Sequence, residues 1–184
     1  MGSRIILPFG PSGEYIEKHV PEDDALKQWQ FPSLEEYYNK GHQIINEHPA
    51  KNNSVIWFAI EQQYLEWGAW NESPESIRHF LAPVVHTYTD KYGLPVLCFP
   101  RFTPILDEGL VYEYNEIEVL LIAGKRLEHF HVSDEDVLKF YRGLQPVIDY
   151  LELVENDIIV NPSNVGYNPT FGLRIIDYGC HINI

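Results

Sequence analysis

Asn161-Pro162-Ser163-Asn164-Val165-Gly166-Tyr167-Asn168-Pro169-Thr170-Phe171-Gly172-Leu173-Arg174-Ile175-Ile176-Asp177-Tyr178-Gly179 decides how this chain is read. Two short runs, Val165-Gly166-Tyr167 and Leu173-Arg174-Ile175-Ile176, flank a cluster of turn residues from Asn168 to Gly172. Apolar runs bounded by Asn, Pro, Thr and Gly predict a β-hairpin. Such a hairpin leaves Asn164 before its first strand and Asp177 after its second. An ordinary surface hairpin with polar turns is the competing reading of these residues alone.

Upstream of this hairpin, Asp157 to Val160 reads as a further strand. Ser133-Asp134-Glu135-Asp136 opens a helix predicted over Val137 to Glu152, with acids in its first turn, where the helix dipole favours them. Ala82 to Tyr88 and Leu94 to Phe99 predict two strands joined by Thr89-Asp90-Lys91-Tyr92-Gly93. A short helix is expected after Pro74. A longer one is expected over Val55 to Trp70, because Ile56, Ile60, Tyr64 and Trp67 recur on one helical face. Ser33 and Glu36 have capping-box spacing for a helix ending near Gly41. Arg4 to Leu7 and the alternating Glu14 to Val20 predict an N-terminal hairpin around a turn at Pro8 to Gly13. Hairpin, helix, hairpin, helix, hairpin is an α+β order, not the alternating βα of a doubly wound nucleotide fold.

With that order in hand, the C-terminal stretch resembles a protein-kinase catalytic loop running into its D-F-G motif. Asn164 stands at the loop Asn and Asp177 at the motif Asp, with Tyr178 in place of Phe. The resemblance implies that Asn164 and Asp177 are metal ligands for Mg²⁺ on ATP. The chemistry fits, since Mg²⁺ takes hard oxygen ligands and keeps several waters and phosphate oxygens. Kinases also pair a strand Lys, which holds the α- and β-phosphates, with a Glu on the following helix. Lys18 lies on the second predicted strand, and Glu61 and Glu66 lie on the next helix; Glu66 is the better match. Pro100-Arg101-Phe102-Thr103 falls where the adenine-contacting hinge belongs. The resemblance therefore spans most of residues 4 to 179. It implies one kinase-like domain over 1–184. Residues 1–103 would form a small lobe of antiparallel sheet plus helix. Residues 104–184 would form a reduced helical large lobe ending after the D-Y-G motif. Lys18, Glu66, Asn164 and Asp177 would be the ATP- and Mg²⁺-binding residues.

Three departures shape the functional expectation. The catalytic Asp of H-R-D-x-x-x-x-N stands five residues before the Asn, and here that position is Ile159. An isoleucine cannot accept a proton. Asp157 is two residues earlier, about 7 Å away along a strand, outside the hydrogen-bond reach of a general base unless the loop is rebuilt. Gly10-Pro11-Ser12-Gly13 makes a poor phosphate loop, because Pro11 removes an amide. The chain also ends five residues after Gly179, so the resemblance implies a fold without the substrate-binding platform of helices; with Ile159 at the base position no catalytic residue is assigned.

Composition narrows the rest. The chain has 184 residues, 45% of them apolar, enough for the core of one domain. No apolar run reaches membrane-spanning length, and Met1 to Phe9 is too short for a signal peptide. Twenty-seven acidic against 13 basic residues give a net charge of −14. That excess disfavours nucleic acid and anionic membranes as partners and suits a basic protein partner. Cys98 and Cys180 make no disulfide framework, so the reading is of a reduced, cytoplasmic protein. His129-Phe130-His131 is a bare H-x-H without supporting metal ligands, and no Ser sits in a nucleophile elbow. The expectation is a pseudokinase-like regulatory or protein-binding module without phosphotransfer that retains nucleotide and Mg²⁺ binding and self-associates or docks a partner. An atypical small ATP-dependent phosphotransferase and an acidic interaction protein mimicking nucleic acid are the alternatives.

Overall fold

The computed structural model describes residues 4–21, 54–91, 93–105, 127, 130–151 and 164–178. Helices and antiparallel strands mix along the chain, giving an α+β protein. Two compact units emerge, one from Gly2–Glu72 and Pro83–Arg101, the other from Ser73–Ala82 and Phe102–Ile184. The expected helix of residues 33–41, the strand Asp157 to Val160 with Ile159, and most of 104–133 lie outside the described residues.

The first unit is built on a four-stranded antiparallel sheet. Strands β1 (Ile5–Phe9) and β2 (Tyr15–His19) form the N-terminal hairpin, and β3 (His86–Thr89) and β4 (Pro95–Pro100) form the second. The order across the sheet is β1-β2-β4-β3. β1 runs two residues further than the Pro/Gly content predicts, so the turn begins at Gly10. Gly10 has φ +87°, and a Cβ there would meet the Glu14 carboxylate at 2.8 Å. That carboxylate accepts from the Ser12 amide at 2.9 Å, closing the turn. Between the hairpins runs helix α1 (Ser54–Glu72), 19 residues and so about 28 Å long at 1.5 Å per residue. Ile56, Ile60 and Tyr64 are buried as its stripe predicts, whereas Trp67 is only half-buried. β4 is buried along its whole length because it is central and α1 lies against it.

In the second unit, α2 (Glu75–Arg78) leads to residues 80–82, which run parallel to β7 (Gly172–Ile175) through a bridge from Leu81 to Ile175. The single strand expected from Ala82 to Tyr88 is thus divided. Pro83, without an N–H, cannot continue a ladder, so the two pieces pair with different sheets. β5 (Thr103–Pro104), β6 (Val165–Asn168) and β7 form a three-stranded sheet in that order.

The helix expected over Val137 to Glu152 is two helices, α3 (Asp134–Arg142) and α4 (Gln145–Leu151). Pro146 is the reason: inside one continuous helix it would lack its N–H and its ring would press on the carbonyl of Arg142. α3 opens with a capping box between Ser133 and Asp136. Val137, Phe140, Leu144, Val147, Ile148 and Leu151 are buried with Val165 and Ile175 in the core of this unit. Among the described residues no helix is long and apolar enough to cross a membrane.

Candidate functional site

The register of the first sheet determines where Lys18 points. Lys18 faces Ile6 on β1 and Leu97 on β4. Side chains alternate along a strand, so Lys18 shares a face with Ile16, Leu97 and Phe99, and α1 lies on that face. Lys18 Nζ donates to Glu66 Oε1 at 2.5 Å, with the Lys18 side chain 5% and the Glu66 side chain 0% exposed. The same ammonium stands 4.7 Å from the centroid of the Phe99 ring, within cation–π range. Glu66, preferred over Glu61 from the sequence, is the acid the structure brings to Lys18; Glu61 is half-buried.

Two further residues complete this cluster, and sequence reading missed both. Arg4 Nη1 donates to Glu66 Oε2 at 2.5 Å and to Gln63 Oε1 at 3.1 Å. Each carboxylate oxygen of Glu66 therefore has its own cation. Gln63, one helical turn before Glu66, donates through Nε2 to the carbonyls of Lys18 at 2.5 Å and Pro95 at 3.0 Å. A single buried amide thereby ties α1 to both β2 and β4. The sequence did hold a signal for Arg4. Once Ile6 is set opposite Lys18, the two-residue period puts Arg4 on the Lys18 side of the hairpin. Gln63 carried no such signal, because polar residues at helix positions read as surface unless their burial is known.

The opposite face of the same sheet carries a second polar group. Glu17 faces Cys98, which in turn faces His86. Glu17 Oε2 lies 3.0 Å from His19 Nε2, and Cys98 Sγ donates to Glu17 Oε1 at 3.8 Å. Burial, with Glu17 beside it, pushes the Cys98 thiol up to about 11. Tyr88 rises to about 12 through desolvation and then its hydrogen bond to Glu17. A thiol held protonated in this way is a poor nucleophile.

Asn164 and Asp177 belong to the second unit. β6 and β7 pair from Val165 opposite Ile175 to Asn168 opposite Gly172. The turn is held by Asn168 Oδ1, which accepts from the amides of Thr170 at 2.8 Å and Phe171 at 3.3 Å. At the open end, the Ile176 amide donates to the Asn164 carbonyl at 2.8 Å. Asp177 follows directly, so both residues are brought to one end of one hairpin, each half-buried.

The support beneath them is tight. A Cβ on Gly166 would meet Phe102 Cβ at 2.8 Å and Ile176 Cγ2 at 3.0 Å, so only glycine permits this approach. Tyr178 is fully buried and donates to the Ala82 carbonyl at 2.8 Å, anchoring the chain just past Asp177. One amide and one carboxylate could supply two oxygen ligands, a number that would suit Mg²⁺ completed by water and phosphate. Among the described residues no group of three or more His, Cys, Asp or Glu is arranged to hold a metal. Asp157, Ile159, His129 and Gly179 lie outside the described residues.

No family model, curated protein or solved structure matches the chain.

Proposed function

We propose that this chain is a kinase-like module that binds a nucleoside triphosphate with Mg²⁺ and acts through a protein partner without transferring phosphoryl. The observation that carries the reading is the buried Lys18–Glu66 pair, strand lysine to helix glutamate, at 2.5 Å. It is the one long-range contact that the kinase resemblance required and that local sequence could not create. Two further features support it. Helix α1 falls between the strand bearing Lys18 and the two strands that follow. Asn164 and Asp177 share the open end of the β6–β7 hairpin.

In this reading Lys18 of the first unit would be the phosphate-binding lysine, and Asn164 and Asp177 of the second would be the Mg²⁺ ligands that the resemblance implies. Ile159 in place of the general base is the reason no transfer follows. Thermal unfolding with ATP tests the proposal. At 100 times its Kd a ligand stabilises by about 2.7 kcal/mol, and the shift should require Mg²⁺ and vanish in Lys18→Met. Absence of any nucleotide-dependent shift defeats the reading. Turnover of labelled ATP well above that of Asp177→Ala would replace it with an active phosphotransferase.

A further inference from the structure

The two edges of the four-stranded sheet are chemically unlike. β3 presents His86, Thr87, Tyr88 and Thr89, while β1 presents Ile5, Ile6, Leu7, Pro8 and Phe9 with no charge among them. Ile5 is 43%, Ile6 49%, Leu7 44% and Phe9 50% exposed, and the neighbouring Tyr15 is 37% exposed. Ile5, Leu7 and Phe9 lie on one face of the sheet and Ile6 on the other, so the edge is apolar on both sides. Edge strands are ordinarily guarded by charge, bulges or brevity. Here Pro8 is the single guard within the strand.

Pro8 also reveals which backbone groups face outward. It has no N–H, so its pairing with Ile16 cannot be one in which both amides donate. An independent contact agrees. The Arg101 amide donates to the Glu14 carbonyl at 2.8 Å, so Tyr15 turns its own polar groups away from β4 and toward Phe9. By alternation, Phe9, Leu7 and Ile5 bond to β2, and Ile6 directs its N–H and C=O away from β2. Among the described residues no strand lies on that side.

We infer that β1 is a self-association edge, pairing antiparallel with β1 of a second copy about a two-fold axis at Ile6. In that register the two Ile6 residues exchange both N–H···O=C bonds, and Ile5 of each copy faces Leu7 of the other. A register centred on Pro8 would have no donor on the axis. Isologous pairing makes one patch serve both copies, and aliphatic cross-strand pairs favour it. Charge points the same way. Each chain carries −14, and the uncharged β1 is a place where two such chains meet with little local repulsion. The contact is small. Burying the exposed parts of these side chains removes several hundred Å² per copy, short of the roughly 800 Å² per partner of a stable complex. The dimer is therefore reversible and concentration-dependent.

Sedimentation velocity from micromolar to near-millimolar chain, at low and physiological salt, reads this directly. Raising ionic strength shortens the screening length from about 30 Å to about 8 Å and should strengthen a dimer of like-charged chains. A basic partner on the same edge would instead bind less tightly as salt rises. Ile6→Lys and Leu7→Lys should each abolish the dimer, while Tyr150→Lys, at an exposed aromatic of the other unit, should leave it intact. In a Cys180→Ser background, Ile6→Cys should form a disulfide with its own copy, since Cα atoms of a bonded antiparallel pair lie about 5.5 Å apart. Thr89→Cys on the opposite edge should not. A chain monomeric at every concentration and salt overturns the inference, as does a dimer indifferent to Ile6→Lys, or an edge found covered by a foreign strand. The folded state of each variant is checked by its thermal unfolding transition, and the Ile6→Cys result stands even if a lysine variant fails to fold.

Discussion

Lys18 and Glu66 are 48 residues apart in sequence and 2.5 Å apart in space, with Arg4 on the other oxygen of the same carboxylate. Glu66 is therefore the shared element of a buried cluster, and the consequences of removing each member differ. Glu66→Leu leaves two buried cations without this carboxylate. Breaking a buried pair in that manner typically costs about 3–5 kcal/mol. Lys18→Met leaves Arg4 in place to compensate Glu66 and should cost less. Arg4→Met should behave like Lys18→Met, and the double variant should lose more than the sum. Urea denaturation of the four proteins gives the ranking, and equal losses for all three single variants would contradict the shared-carboxylate arrangement.

Gln63 is the second fastening of α1. Gln63→Leu keeps the size and apolar fit of the side chain but deprives the Lys18 and Pro95 carbonyls of a donor. A buried group left unsatisfied costs about 1–3 kcal/mol, so the loss should exceed that of a neutral surface change several-fold. Amide hydrogen exchange should quicken in α1 and at Lys18. Exchange unchanged in α1 would mean that the helix is held by its apolar face alone.

Asp177 and Tyr178 are neighbours with separable roles. Tyr178→Phe removes the 2.8 Å bond to the Ala82 carbonyl and should cost about 1–2 kcal/mol. Asp177→Ala should remove the Mg²⁺-dependent part of the nucleotide shift, measured against the ligand-free unfolding midpoint of the same variant. Equal nucleotide shifts in wild type and Asp177→Ala would exclude Asp177 as the metal ligand.

Alkaline pH should weaken the first unit. The Cys98 thiol is raised by burial from 9.0 to about 11, and Tyr88 from 10.0 to about 12. A group raised on folding contributes fully below its unfolded value and loses that contribution as pH passes its folded value. The unfolding temperature should thus fall from about pH 9 upward, through the folded values near 11 and 12. Cys98→Ala should flatten the lower part of that fall. Iodoacetamide should label Cys98 slowly at neutral pH. Rapid labelling in the folded protein would show a thiolate that the Glu17 environment disfavours.

Much of the local structure follows from short-range chemistry. The Gly10–Gly13 turn, the Asn168 turn, the Ser133 cap and the stripe Ile56, Ile60, Tyr64 depend on φ preferences, hydrogen bonds a few residues long, and periodicity. Those are enough to reveal hairpins and helices and to order them as α+β. The break between α3 and α4 was also written in the sequence, at Pro146, whose missing N–H outweighs the surrounding helical pattern.

The division of the strand at Pro83, the double clasp of Arg4 and Lys18 on Glu66, and the burial of Gln63 had a different origin. Each depends on which strand lies beside which, and pairing partners are selected by the burial that many distant residues achieve together. A one-residue slip in β2 would turn Lys18 to the Glu17 face and leave Glu66 buried without it. The sequence by itself determined most of the described elements, their order and the residue types available to a site. Only the tertiary structure decided the register, and with it which charges meet, because register is set by the cooperative packing of both sheet faces and not by any segment alone.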